Sequence, residues 1–154
     1  MTDDPIHGND ETVRRILTTS RTWAVVGCSP DPSRTSHDVA AFLLRQGYEV
    51  VPVHPDAASI LGRTCYPDLA SIPDDVEIDV VDLFRRSDQV GPHVDEAVAV
   101  GAARLSRQAN RPSPWAVWMQ LGVVDLDAAE RARAAGLDVV MDRCPKIELP
   151  RLPR

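Results

Sequence analysis

The stretch Trp23-Ala24-Val25-Val26-Gly27-Cys28-Ser29-Pro30-Asp31-Pro32-Ser33-Arg34-Thr35-Ser36 decides the fold class. Four apolar residues run into Gly27, a loop of small residues follows, and a helical pattern then begins. An unbroken apolar run too short for a helix suits a strand buried on both faces, as in a parallel sheet. A strand, a small-residue loop and a helix N-terminus in succession form the phosphate-holding turn of a doubly wound α/β fold. The loop does not carry the dinucleotide fingerprint. A G-x-G-x-x-G match from Gly27 requires glycine at 29 and 32, and the chain has Ser29 and Pro32.

The remaining sequence repeats the alternation. A short amphipathic helix over 10–19 is predicted, with Asn9 or Asp10 as its cap. Further strands are predicted at Tyr48–Val53, Ile78–Phe84, Trp115–Met119 and Leu137–Met141. Helices are predicted at Ser36–Gln46, Ser87–Val100 and from the Asp125 cap to Ala135. Thr35 and Asp38 have capping-box spacing, and Gly47 and Gly136 are helix stops. Ile60–Tyr66 reads as an extended excursion, Asp68–Ile72 as one helical turn, and 145–154 as irregular. The expectation is therefore an α/β, three-layer, Rossmann-like sheet of five parallel strands in order 3-2-1-4-5. Its ligand site would lie at the carboxyl ends, between strands 1 and 4. A single domain over 1–154 is expected. Its first ten residues would be a loose tail, and 104–114 would be an inserted, mobile basic loop, since such connections usually need only about 2–6 residues.

Composition narrows function. The 154 residues carry a formal net charge of −6, which disfavours a nucleic-acid partner. No apolar run approaches a membrane span, and no signal peptide is legible. A cytoplasmic protein without membrane partners is expected. Cys28, Cys65 and Cys144 are an odd, widely spaced set, unlike a disulfide framework or a zinc site, and no metal site is expected. The G-x-S-x-G, H-E-x-x-H, P-loop and C-x-x-C motifs are absent, and no nucleophile–base pair can be read.

Candidate binding residues follow from the strand ends. Gly27 would let a phosphate approach the backbone. Cys28 sits beside it, Ser29 and Ser36 offer hydroxyls, and Arg34 offers a guanidinium fork. Strand 2 delivers His54 and Pro55, where a dinucleotide enzyme would present an acid. Strand 3 delivers Phe84 and Arg85, and strand 4 delivers Met119 and Gln120. Trp115, Trp118, Asp79 and Asp82 read as structural.

These dispersed motifs together resemble the small stand-alone CoA-binding domain proteins of bacteria, similar to the CoA-binding domain of the succinyl-CoA synthetase alpha subunit. The residues that carry the resemblance run from Ala24-Val25-Val26-Gly27-Cys28-Ser29-Pro30 through Gly47–Pro55, Ile60-Leu61-Gly62, Val80–Arg86 and Val117–Val123 to Val139–Lys146. The resemblance implies a module that binds coenzyme A or an acyl-CoA. Gly27, Ser29, Arg34 and Ser36 would hold phosphates, and His54 and Pro55 would lie by the nucleotide. Phe84 and Arg85 would lie by the adenine and pyrophosphate, and Met119 and Gln120 by the pantetheine. His54 departs from the Asn usual in the family, and 104–114 departs by insertion. The expected function is binding without catalysis, with a protein partner or a second copy of the chain admissible. Two alternatives stand beside it: a protein-interaction module with a vestigial nucleotide site, and an NAD(P)-linked enzyme. The latter would want glycine at 29 and an acid after strand 2.

Overall fold

A computed structural model describes residues 10–107 and 111–153. The elements are α1 (Asp10–Thr19), β1 (Thr22–Val26), α2 (Thr35–Arg45), β2 (Glu49–Val53), the two-residue strands β3 (Ser59–Ile60) and β4 (Arg63–Thr64), β5 (Val80–Leu83), α3 (Gly91–Arg107), β6 (Ala116–Met119), α4 (Leu126–Ala134), β7 (Asp138–Val140) and α5 (Pro145–Glu148), with a 3-10 turn over Leu149–Arg151. Of the tail expected over 1–10, only Asp10 lies within the described residues, and it opens α1.

Five strands form one parallel sheet in the order β2-β1-β5-β6-β7, and β3 and β4 form a separate antiparallel hairpin. The Rossmann-like fold class holds. The expected order 3-2-1-4-5 does not: counted along the five sheet strands, the order is 2-1-3-4-5. The outer edge of β2, where the third strand was expected, is occupied by Tyr66. Its amide donates to the Pro52 carbonyl (3.1 Å), and the His54 amide donates to the Tyr66 carbonyl (2.9 Å). β5 therefore enters on the other side of β1, with Val26 opposite Leu83. The switch point moves to between β1 and β5, the alternative doubly wound arrangement, and the rule for the ligand position is unchanged.

Period-two alternation distributes the strands between two cores. Ala24, Val26, Val81, Leu83, Val117 and Met119 face the side covered by α3 and α4. Trp23, Val25, Val50, Val80, Ala116 and Trp118 face α1, α2 and α5. On that second face the Trp23 ring centroid lies 5.9 Å from Tyr48 and 5.4 Å from Trp118, each such pair contributing about 0.5–1.5 kcal/mol beyond area burial. Asp79 ties the strand starts together. Its carboxylate accepts from the Arg21 and Thr22 amides (2.8 and 3.0 Å) and from Trp115 Nε1 (2.9 Å).

Four local expectations change. α2 is capped at Arg34 without a side-chain hydrogen bond, so Thr35 and Asp38 form no capping box. The Ser36 hydroxyl instead accepts from the Ser29 amide. Residues 68–72 are a turn in which Asp68 Oδ1 accepts from the Ser71 amide (2.8 Å), not a helical turn. The carboxyl end is not irregular: Pro145 opens α5, a position proline favours.

The largest change concerns 104–114. α3 runs seven residues past the expected Val100 end, to Arg107. Gly101, which shares the helical spacing of Val90, Val94 and Ala97, lies inside the helix, and a Cβ there would stand 2.9 Å from the Pro114 carbonyl oxygen. Arg104 is buried and donates to the carbonyls of Ile72 and Pro73 (both 3.0 Å) and of Val76. Arg111 stacks its guanidinium 4.8 Å from the Trp115 ring centroid. Ser113 Oγ bonds both the amide and the carbonyl of Ile78. Residues 104–107 are thus helix rather than loop, and Arg104 and Ser113 are tied to the fold by these bonds; 108–110 lie outside the described residues.

Candidate functional site

The carboxyl ends of β1, β5, β6 and β7 open on a cleft of about 1120 Å³. Its first wall is the loop after β1. Gly27 has φ +81°, and a Cβ on it would stand 2.5 Å from the Phe84 carbonyl oxygen on the adjoining strand. The residue is thus required first by the close approach of two backbones, and only then by any ligand. Beyond it the loop is braced internally. The Ser29 amide donates to Ser36 Oγ (2.9 Å), and His37 Nδ1 pairs with the Ser29 carbonyl (2.9 Å), which makes Nδ1 the donor. Asp31 Oδ1 accepts from the Ser33 amide and hydroxyl, which holds its pKa below the usual range. This turn delivers the chain to an α2 N-terminus that no side chain caps. Such an end presents amide donors and a partial positive charge.

Arg34, Arg85, Arg86 and Lys146 line the cleft against one carboxylate, Asp38. A positive basin is set in a chain of net charge −6. Lys146 Nζ donates to Asp38 Oδ2 at 2.6 Å, and this bond keeps the Asp38 carboxyl below its ordinary pKa. Two buried polar atoms in the lining have no hydrogen-bond partner: Gln120 Oε1, on a residue only 4% exposed, and Arg85 Nε. Leu121 (57% exposed) and Ile147 (48%) give the cleft an apolar rim.

Of the residues singled out in the sequence, Gly27, Ser29, Arg34, Ser36, Phe84, Arg85 and Gln120 come together in this cleft. Four do not line it. Cys28 is fully buried in the core beneath α2, and burial, helped by Cys65 and Asp82, pushes its pKa up to about 12. Met119 is fully buried in the opposite core. His54 stands past β2 with Nδ1 accepting from the Asp56 amide (3.1 Å), and Pro55 beside it is exposed. The cleft also gathers residues not singled out: Asp38, Leu121, Gly122, Val123, Cys144 and Lys146. Cys144 was legible as a strand-end residue after β7. Lys146 required knowing that 145–148 is helical.

Residues 21–150 match the CoA binding domain family. The chain belongs to that CoA-binding family. A curated relative, the uncharacterised protein YneT of Bacillus subtilis (strain 168), is 34% identical over 135 residues, covering 88% of this chain and 90% of the relative. A hypothetical protein from Pyrococcus horikoshii superposes with a TM-score of 0.79 at 36% identity, covering 94% of this chain and 92% of that one. A dinucleotide-forming acetyl-coenzyme A synthetase of Ca. Korarchaeum cryptofilum, solved with phosphate and ADP, superposes with a TM-score of 0.65 at 25% identity. That match spans 84% of this chain but only 27% of the synthetase. The CoA-binding fold therefore recurs both in relatives of similar length and as a portion of a much longer synthetase. Among the described residues no helix is long and apolar enough to cross a membrane.

Proposed function

We propose that this chain binds coenzyme A or an acyl-CoA in the cleft at the carboxyl ends of β1, β5, β6 and β7, without catalysis of its own. The observation that carries the reading is Gln120. A carboxamide oxygen buried without a donor is costly, and it lies in the lining of a cleft whose charged groups are four cations and one carboxylate. Coenzyme A offers what each part lacks. Its phosphates suit Arg34, Arg85, Arg86, Lys146 and the uncapped α2 amides. The amide N–H groups of its pantetheine arm suit Gln120 Oε1. An acyl chain or the arm's methyl groups suit Leu121 and Ile147. The family match supports the ligand class.

Binding without turnover fits the Asp38 carboxylate of the lining being held by Lys146. A dinucleotide reading is less well supported, because Ser29 and Pro32 replace glycines and no acid follows β2 within the cleft. The test is calorimetric titration with CoA, NAD and NADP in parallel. Saturable CoA binding with no dinucleotide heat is expected. No CoA binding overturns the reading.

A further inference from the structure

The chain holds three free thiols. Cys28 is fully buried under α2, and Cys65 lies by the outer edge of β2, away from the cleft. Cys144 is itself buried, at 7% exposed, but alone of the three it lines the cleft. The turn that carries it is held in place from several sides. Asp142 adopts φ +58°, a left-handed conformation that costs energy for a residue with a side chain. Its Oδ1 accepts from the Gly122 amide at 2.7 Å. Trp118 Nε1 donates to the Arg143 carbonyl at 2.7 Å, and the Ile147 and Glu148 amides donate to the Cys144 carbonyl, both at 2.9 Å. The turn is thereby fixed against the 118–122 segment, which contains Gln120.

Gln120 is the independent sign of a ligand at this place. It is 4% exposed, it lines the same cleft, and its Oε1 accepts no hydrogen bond. An N–H donor brought by a ligand would satisfy it. A ligand that brings amide N–H groups and ends in a sulfur is a pantetheine arm.

We propose that Cys144 is a covalent docking site for the sulfur end of that arm, entered by thiol–disulfide exchange with coenzyme A disulfide. The inference rests on the cleft being a CoA site and adds a redox state to it. The Cys144 thiolate attacks one sulfur of the disulfide. The sulfur–sulfur bond of the reagent breaks, a Cys144–CoA disulfide forms, and one coenzyme A leaves as its thiolate carrying the electron pair. A second thiol reverses the step. A protein so modified holds its own cleft shut to free CoA until it is reduced.

The test treats the full chain with coenzyme A disulfide and maps the adduct by peptide mass spectrometry, with glutathione disulfide as the parallel reagent and reduced CoA titrated by calorimetry. One dithiothreitol-reversible adduct is expected, on the peptide containing Cys144. It should form at least about tenfold faster than the glutathione adduct, because the cleft would hold the reagent against the thiol. Cys144→Ala should lose it, and if that variant fails to fold, mapping on the unsubstituted chain decides. Modification of Cys28 or Cys65 instead, or equal rates with both disulfides, overturns the proposal. No adduct while reduced CoA still binds overturns it and leaves the cleft reading standing; no adduct and no binding removes both.

Discussion

Gly27→Ala separates the two reasons a glycine can stand at the end of β1. The new Cβ would lie 2.5 Å from the Phe84 carbonyl oxygen, when real Cβ contacts essentially never fall below 3.0 Å, and the obstacle is backbone on the neighbouring strand. The β1 and β5 ends, joined by the Phe84 amide to the Val26 carbonyl (3.0 Å), would have to part. Such overpacking costs about 1–3 kcal/mol, and a side chain at positive φ adds about 1–2 kcal/mol. The sum, about 2–5 kcal/mol, is a large part of the total stability of an ordinary domain. Gly47→Ala supplies the control. It has φ +98° and open space around it, so only the conformational part, about 1–2 kcal/mol, applies. Urea unfolding followed by circular dichroism and tryptophan fluorescence should place Gly27→Ala below Gly47→Ala by about 1–3 kcal/mol, with similar m-values. Equal losses would refute the claim that the Phe84 backbone, rather than φ alone, selects glycine there.

Arg34→Ala should weaken CoA binding by about tenfold or more, the loss of a charge-assisted contact, while urea stability moves by no more than about 0.5 kcal/mol because the side chain is exposed; unchanged affinity by calorimetry removes Arg34 from the site. Arg104→Met should destabilise by about 3 kcal/mol, because it strips donors from the Ile72, Pro73 and Val76 carbonyls inside the fold. A thermal midpoint within a degree of the parent's would contradict the packed-helix account of 104–107. Asp82→Asn tests a buried acid on β5. Neither Asp82 oxygen has a hydrogen-bond partner of normal geometry, and burial pushes its pKa well above the usual range, only partly offset by the Leu83 amide. The unfolded chain releases this proton near pH 3.9 while the folded chain keeps it to higher pH. Stability from this group is therefore full below that value and falls as pH rises towards the raised folded pKa. The stability of Asp82→Asn relative to the parent should increase from pH 4 to pH 7, and parallel pH curves would sink the argument.

The strands and their order of appearance were legible because buried parallel strands read as unbroken apolar runs. Their spatial order was not, because it depends on where the chain travels between β2 and β5. Tyr66 bonding to the β2 edge is a contact between segments that no local pattern announces. Gly101 shows the same limit. In sequence it only continues the helical spacing of Val90, Val94 and Ala97; in the fold it makes room for the Pro114 carbonyl. The site was half legible. The strand-end rule brought out Gly27, Ser29, Arg34, Ser36, Phe84, Arg85 and Gln120. It could not say which way Cys28 and Met119 turn after the last pleat, and both turn into the cores. Lys146 and Asp38 meet across more than a hundred residues, through a short helix that a proline-rich carboxyl end concealed.

The most direct test is amide hydrogen exchange of the full chain with and without CoA. The account predicts slowed exchange confined to 27–37, 84–86, 120–123 and 144–147, the segments that wall the cleft. Protection centred on 54–66, or none at saturating CoA, would contradict it.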